Sequence, residues 1–192
     1  MSVPSLMSTT CWSELGAEDK RARLLLAAGE VFARDGLDAP MPAIATAAGA
    51  GVGSVYRQFP SKRDLLAALV VERLAEAEHG ADTALASTAG PWSALTGLLW
   101  TLAERQATDE VLGEAMATVS EHPAVQSALA RTVISLERLL DAAKAEGRLR
   151  ADATALDLRL IFAAIRAAAK LEPEAWRRML ELGIDALESD AC

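Results

Sequence analysis

The sequence predicts an all-α protein of about nine helices, because its apolar residues recur at three- and four-residue intervals between stops made by Gly and Pro. Ala and Leu dominate the composition, and aromatic residues make up only 4% of the 192 residues. Such a composition favours helices over strands, which select β-branched and aromatic residues. We predict an N-terminal three-helix domain with a helix-turn-helix, followed by a helical body that binds a ligand and dimerises.

The predicted organisation has three parts. Residues 1–16, rich in Ser and Thr, are expected to form a flexible arm, although Trp12 could instead tether this arm to the fold. Residues 17–60 are assigned to the helix-turn-helix domain and residues 61–192 to the body. The first helix of the body, at about 61–79, links the two.

Local sequence signals predict where the N-terminal helices begin and end. The first runs from Ala17 to Asp35, where Gly36 supplies the expected left-handed cap. A short second helix follows Pro40, and the turn Gly49-Ala50-Gly51 leads to a third helix over about 52–58. Ser61 and Asp64 then have the spacing of a capping box, which opens the linking helix.

The body is predicted to contain five more helices after a loop at 80–90. They are expected over about 91–106, 109–120, 123–146, 154–170 and 174–188. The last two carry apolar faces that predict a two-fold four-helix bundle between subunits. The residues expected in this dimer interface are Ile161, Phe162, Ile165, Trp176, Leu180 and Ile184.

The net charge of −8 is unevenly distributed. Residues 1–66 hold seven Lys and Arg against seven Asp and Glu, whereas residues 67–192 hold twelve against twenty. Because salt screens charges beyond about 8–10 Å, a phosphate responds to the local balance rather than to the total. The acidic excess therefore argues against strong non-specific DNA binding without excluding specific binding.

Several other classes of protein are disfavoured. Cys11 and Cys192 lack metal-site spacing, so free thiols in a reducing cytoplasm are expected, with an end-to-end disulfide as the alternative and with neither metal nor cofactor. No secretory signal or membrane-length apolar run occurs. The only histidines, His79 and His122, lie far apart, and no HExxH or GxSxG motif is present, so we expect no enzyme activity.

The stretch from Arg23 to Leu69 resembles the TetR family of bacterial one-component regulators. It carries that family's signature residues in order and spacing: Ala27, Ala28, Phe32, Gly36, Ile44, Ala45, Ala48, Gly49, Gly53, Tyr56, Phe59 and Leu66. The resemblance implies that the second and third helices form the helix-turn-helix and that the third enters the major groove of DNA.

The resemblance also assigns DNA-binding roles to individual residues. Gly53 allows close backbone approach, and Ser54 occupies the place of a Thr that contacts DNA. Tyr56 and Lys62 correspond to residues that bind backbone phosphates. Arg57 and Gln58 are candidates for groove contacts, since Arg can pair with guanine and Gln with adenine.

Five positions depart from the family pattern, and Ser54 in place of Thr is one of them. Gln58 stands where the family has His, and Ala50 where Val is common. Pro42 and Ala43 replace polar residues that often touch DNA, so the second helix is expected to support the third rather than read bases.

The resemblance further implies a pocket for a small-molecule effector in the body. Its candidate lining residues are Trp92, Trp100, Glu104, Met116, His122 and Arg131. Each has an ordinary alternative as a core or solvated residue. The function implied is that of a homodimeric repressor that a small molecule releases from a palindromic double-stranded DNA operator. A regulator-like protein that acts mainly through protein partners is the alternative.

Overall fold

The computed structural model describes residues 11–108 and 110–189, and within these residues it confirms the all-α class. The described chain contains nine α-helices: α1 (Ala17–Asp35), α2 (Met41–Ala48), α3 (Val52–Gln58), α4 (Lys62–Leu85), α5 (Pro91–Thr108), α6 (Glu110–Val119), α7 (Pro123–Ala145), α8 (Ala155–Leu171) and α9 (Ala175–Leu187). A short 3-10 helix, Trp12–Glu14, precedes α1.

The chain divides into two compact units, residues 1–65 and residues 66–192. The boundary falls inside α4, whereas the sequence analysis placed it before this helix. The first unit has a core formed by the inward faces of α1, α2 and α3. Its largest buried side chains include Leu24, Phe32, Ile44, Phe59 and Leu65.

Part of the expected flexible arm is folded. Residues 1–10 lie outside the described residues, but Trp12–Glu14 forms the 3-10 helix, and the side chain of Trp12 is half-buried. The amide of Glu14 donates to the carbonyl of Cys11 at 3.0 Å, which closes the turn. The tethering alternative for Trp12 therefore describes residues 11–16 better than a flexible arm does.

The linking helix is longer than predicted. The loop expected at 80–90 is wrong for its first residues, because α4 continues to Leu85. Gly80 suggested a break, but here it serves close packing within the second unit. A Cβ atom at this position would lie only 2.6 Å from Leu98 Cδ1 of α5.

The second unit is organised around a core shared by α5, α7, α8 and α9. Trp100 on α5 meets Trp176 on α9 edge to face, with ring centroids 6.0 Å apart. Gly183 on α9 sits against Ile161 on α8, where a Cβ atom would approach Ile161 Cγ2 to 2.9 Å. The buried members of this core include Leu95, Leu99, Leu139, Leu140, Leu158, Ile165 and Leu180.

The start of α8 is capped within the chain. The backbone amide and the hydroxyl of Thr154 both donate to Asp157 Oδ2, at 2.7 and 2.8 Å. These bonds, the amide bond first, hold the pKa of the Asp157 carboxyl below its usual value. The arrangement satisfies groups that a helix N-terminus leaves without intrahelical partners.

Replacing Thr154 with Ala is expected to lower the free energy of unfolding by about 1 kcal/mol, whereas Thr154→Ser retains the hydroxyl and most of that stability. Because the folded-state pKa of Asp157 is depressed, its stabilisation is complete above the unfolded pKa of about 3.9 and is lost as pH falls through the folded value. Denaturant titrations at fixed protein concentration should therefore show a Thr154→Ala deficit at pH 7 that shrinks below pH 4. A deficit that is the same at both pH values would contradict this role of Asp157.

Candidate nucleic-acid interface

The turn between α2 and α3 is built by two glycines. Gly49 has φ +66°, in the left-handed region that favours Gly, and its amide bonds to the Thr46 carbonyl at 3.1 Å. The amide of Ala50 reaches the Ala45 carbonyl at 2.9 Å, and Gly51 leads into α3 in an extended conformation. The turn therefore fixes the direction of α3 through backbone geometry.

The inward side of α3 is anchored by Val55 and by Phe59, the residue after its end. Both are almost completely buried, at 0% and 1% exposure. The Arg21 guanidinium of α1 covers the Phe59 ring, with its central carbon 4.8 Å from the ring centroid. The helix is therefore held by packing that leaves its opposite side open.

The predicted DNA-binding residues of α3 lie on that open side. Tyr56 and Arg57 are exposed, whereas Ser54 and Gln58 are half-buried. Arg57 Nη2 donates to Ser54 Oγ at 2.9 Å, which orients the guanidinium. Apart from its two chain neighbours and the backbone of α3, no atom of the described residues lies within 4 Å of a Cβ built at Gly53, so another molecule has room to approach the backbone there.

Lys62 lies in the first turn of α4, close to this surface. Its Nζ is 5.8 Å from the centroid of the Phe32 ring of α1. The turn is fixed by a capping box in which Ser61 Oγ bonds to Asp64 Oδ2 at 2.6 Å and accepts the Asp64 amide at 3.2 Å. The half-buried stem of Lys62 thus carries its ammonium from a rigid helix start.

A cleft of about 300 Å³ lies beside α3, and we call it the α3 cleft. Its lining residues are Trp12, Ala17, Lys20, Ser54, Arg57 and Gln58. Ser54, Arg57 and Gln58, which were predicted site residues, therefore line the same cleft as Trp12 and Lys20. The sequence analysis did not assign Trp12 or Lys20 to the site. The only sequence signal for this was an aromatic residue in an otherwise polar arm.

The second helix presents few polar side chains. Pro42 is exposed and Ala43 half-buried, and neither has a side-chain hydrogen-bond donor. The Thr46 hydroxyl donates back to the Pro42 carbonyl at 3.0 Å. A supporting role for α2 remains our prediction.

The six candidate pocket residues do not line one cavity. Trp92 lies beside the end of α7, where its amide donates to Glu146 Oε2 at 2.7 Å. His122 caps the opposite end of α7, its Nδ1 accepting the Ala124 amide at 3.3 Å. The 23 residues of α7 span about 35 Å. A single small-molecule pocket cannot contain both residues, so this assignment is corrected.

The other four candidates are also divided. Trp100 and Met116 are half-buried, whereas Glu104 and Arg131 are exposed. Arg131 Nε is 3.4 Å from Glu78 Oε2 of α4, so this residue connects two helices at the surface. Of the six, Trp100 belongs most clearly with the interior, through its contact with Trp176.

Three of the six residues predicted for the dimer interface are buried within the subunit, although α8 and α9 both carry exposed leucines. Ile165, Trp176 and Leu180 are 0%, 4% and 0% exposed, so they are core residues of one subunit and this assignment is wrong. Ile161, Phe162 and Ile184 are half-buried against the same core. The exposed large apolar residues of α8 and α9 are Leu156, Leu160, Leu171 and Leu182.

Metal binding and membrane crossing find no structural support in the described part of the chain. Residues 11–108 and 110–189 contain no cluster of three or more His, Cys, Asp or Glu suited to a metal ion. None of the helices they form combines the length and hydropathy needed to cross a lipid bilayer.

The all-α fold and the tight turn that positions α3 define a helix-turn-helix protein with a separate helical body. A family model described as bacterial regulatory proteins of the tetR family matches residues 24–69. A second, described as the C-terminal domain of SbtR-like transcriptional regulators, matches residues 90–189, just over half of the chain. The chain therefore belongs to the TetR family of bacterial transcriptional regulators.

Individual relatives agree with this assignment. The HTH-type transcriptional repressor KstR of Mycobacterium tuberculosis is 29% identical over 133 residues, an alignment that covers 67% of this chain and only 60% of KstR. A TetR regulator from Mycobacterium vanbaalenii is 31% identical, with 90% and 97% of the chains covered and a TM-score of 0.66. A structure described as the basis for control of antibiotic production by bacterial hormones is 26% identical, with 91% and 100% covered and a TM-score of 0.71.

Replacing Gly49 with Ala is expected to lower the free energy of unfolding by about 1–2 kcal/mol, because a side chain is strained in the left-handed region. The added methyl would lie 3.5 Å from Arg23 Nη2, an ordinary contact, so the cost is conformational. Gly29→Ala is the matched control: Gly29 lies inside α1 with open space around its Cβ position, and Ala there should stabilise slightly. Equal effects in thermal denaturation would contradict this interpretation of the turn.

Proposed function

We propose that the protein is a cytoplasmic, homodimeric repressor that binds a palindromic DNA operator and is released when a small molecule binds its body. This proposal rests on the polar side chains that α3 exposes on its open side. A hydroxyl, a phenol, a guanidinium and an amide lie on the open side of a helix whose other side is anchored by Val55 and Phe59. Such a helix suits base and phosphate contacts in the major groove.

The proposed division of labour follows the chemistry of each side chain. Tyr56 and Lys62 bind backbone phosphates and therefore contribute affinity without reading sequence. Arg57 and Gln58 reach base edges, where bidentate pairing distinguishes guanine and adenine. The bond from Arg57 to Ser54 limits the freedom of the guanidinium before DNA binds, which reduces the entropy lost on binding.

The proposed dimer forms through the exposed stripe of α8 and α9. Leu156, Leu160 and Leu171 follow one side of α8, opposite the buried Leu158 and Ile165 at 100° per residue. Leu171 is 89% exposed in the single subunit. A second copy would bury this stripe in an isologous contact and present two α3 helices to successive turns of DNA.

The proposed control acts through α4. Within the second unit, Glu76 pairs with Arg105 of α5 at 2.5 Å, and Asp82 approaches Arg138 of α7 at 3.4 Å. The buried Thr132 hydroxyl of α7 donates to the Leu74 carbonyl at 3.0 Å. A ligand that moves α5 or α7 would therefore also move α4, and it would release DNA to the extent that it favours the non-binding conformation.

The effector and repressor aspects also draw on the relatives. KstR is described as a repressor. The structure described as the basis for control of antibiotic production by bacterial hormones shares the fold, with a TM-score of 0.71. The proposed function includes no catalytic step.

Selection from a random library of duplexes of about 30 base pairs, three helical turns, tests the proposal directly. The full-length protein is expected to enrich a near-palindromic duplex and to bind it in a salt-sensitive manner. Fluorescence anisotropy then compares the enriched duplex with a scrambled one. Equal affinity for both would exclude a sequence-specific regulator.

The substitution Lys62→Ala is expected to weaken binding to the enriched and the scrambled duplex by similar factors. The slope of log affinity against log salt should fall by about one, because one phosphate contact is lost. An unchanged slope would remove Lys62 from the interface. Gln58→Ala is the useful comparison, since it should alter the preference between duplexes and leave the salt slope intact.

The substitution Leu160→Glu is expected to shift the protein from dimer to monomer in light scattering, because a charge would be buried in the proposed interface. Ile134→Glu is a matched control on α7, since Ile134 and Leu160 are 61% and 59% exposed. It should leave the mass unchanged. A monomeric wild-type protein, or a dimer that tolerates Leu160→Glu, would contradict the proposed dimer.

A further inference from the structure

The α3 cleft has a lining that suits an anionic partner. One of its walls belongs to the N-terminal segment, through Trp12, Ala17 and Lys20, and the other to α3, through Ser54, Arg57 and Gln58. The lining thus contains an ammonium, a guanidinium, an amide, a hydroxyl and an indole, and no carboxylate. Glu18 and Asp19 lie in the same first turn of α1 as Ala17, but they are not part of the lining.

The Lys20 ammonium is available for a partner. Among residues 11–108 and 110–189, no carboxylate forms a salt bridge with Lys20. Its side chain is half-buried, and Lys20 is one of the residues that line the cleft. Arg57, on the opposite wall, bonds to Ser54 through Nη2 and keeps further donors.

The wall that carries Trp12 is a built feature of the fold. The amides of Glu14 and Leu15 bond to the carbonyls of Cys11 and Trp12 at 3.0 and 3.4 Å, so the indole stands on a closed 3-10 turn. A half-buried indole beside a lysine suits the sugar-phosphate backbone, because the ring can pack on a deoxyribose while the ammonium binds its phosphate.

We propose that the α3 cleft binds a segment of the DNA backbone next to the major-groove contacts, with Lys20 on a phosphate and Trp12 against the adjoining sugar. This inference rests on the proposed function, because it requires α3 to engage DNA. The occupant follows from position and charge: three lining residues belong to the helix proposed to meet DNA, and the Lys20 ammonium matches the charge of a phosphate. The contact would contribute affinity for any sequence and would carry little base preference.

Lys20→Ala tests the phosphate contact on the enriched and the scrambled duplex. Affinity should fall about fivefold for both at physiological salt, and the salt slope should decrease by about one, as expected for one phosphate. Lys144→Ala is the matched control, because it removes the same charge from the second unit and should leave both quantities unchanged. A Lys20→Ala protein with the wild-type salt slope would overturn the assignment.

Trp12 is tested with two variants. Trp12→Ala should weaken binding to both duplexes without changing the salt slope, whereas Trp12→Phe should retain most of the affinity, because a flat apolar ring remains. Equal affinities of wild type and Trp12→Ala would overturn the sugar contact. Circular dichroism of each variant identifies any loss of affinity that comes from unfolding.

Protection of Cys11, which precedes the lining residue Trp12 in the chain, provides a measurement with the lining of the cleft unaltered. Cys11 is exposed, and the hydroxyl of Ser13, which donates to its Sγ at 3.3 Å, lowers the pKa of the thiol. In a Cys192→Ser protein, saturating enriched duplex should slow iodoacetamide alkylation of Cys11. Unchanged alkylation in the presence of bound duplex would contradict the proposal.

If the wild type binds no duplex selectively, the proposed function fails. If it binds and the Lys20 and Cys11 results are negative, only this inference fails.

Discussion

The burial of Val55 and Phe59 is the constraint on which the proposed DNA-binding surface depends. Seven residues of α3 are too few to form a stable helix alone, so the helix exists because packing holds it. With these two side chains fixed against the first unit, every other residue of α3 has a determined direction. The positions of the hydroxyl, phenol, guanidinium and amide groups follow from that single attachment.

Local chemistry explains why much of the first unit could be predicted. Gly49 and Gly51 at the turn, and Ser61 with Asp64 at the next helix start, act over a few residues, so their sequence spacing determines their geometry. The folded turn at Trp12 entered the sequence analysis only as an alternative, because the residues that share the α3 cleft with Trp12 lie about forty residues away along the chain. Gly80 wrongly suggested a helix end for a similar reason, because its role is to allow close packing against Leu98 of α5.

The second unit shows the limit of helical periodicity. The pattern predicted amphipathic helices at α8 and α9, but both helices carry apolar residues on more than one side. Periodicity alone cannot determine which side faces the subunit's own core, and the side with Ile165, Trp176 and Leu180 proved to be the inner one. The pocket residues were harder still, since a cavity depends on where several helices meet.

The location of the unit boundary inside α4 has a consequence for how such chains can diverge. Each residue inserted into a continuous helix rotates everything beyond it by 100° and advances it by 1.5 Å. A body with a different ligand could therefore be joined to this DNA-binding unit only if the helical phase of α4 were kept, which seven added residues nearly achieve and one or two do not. The helical phase of α4, rather than its exact length of 24 residues, is therefore what such a change must preserve.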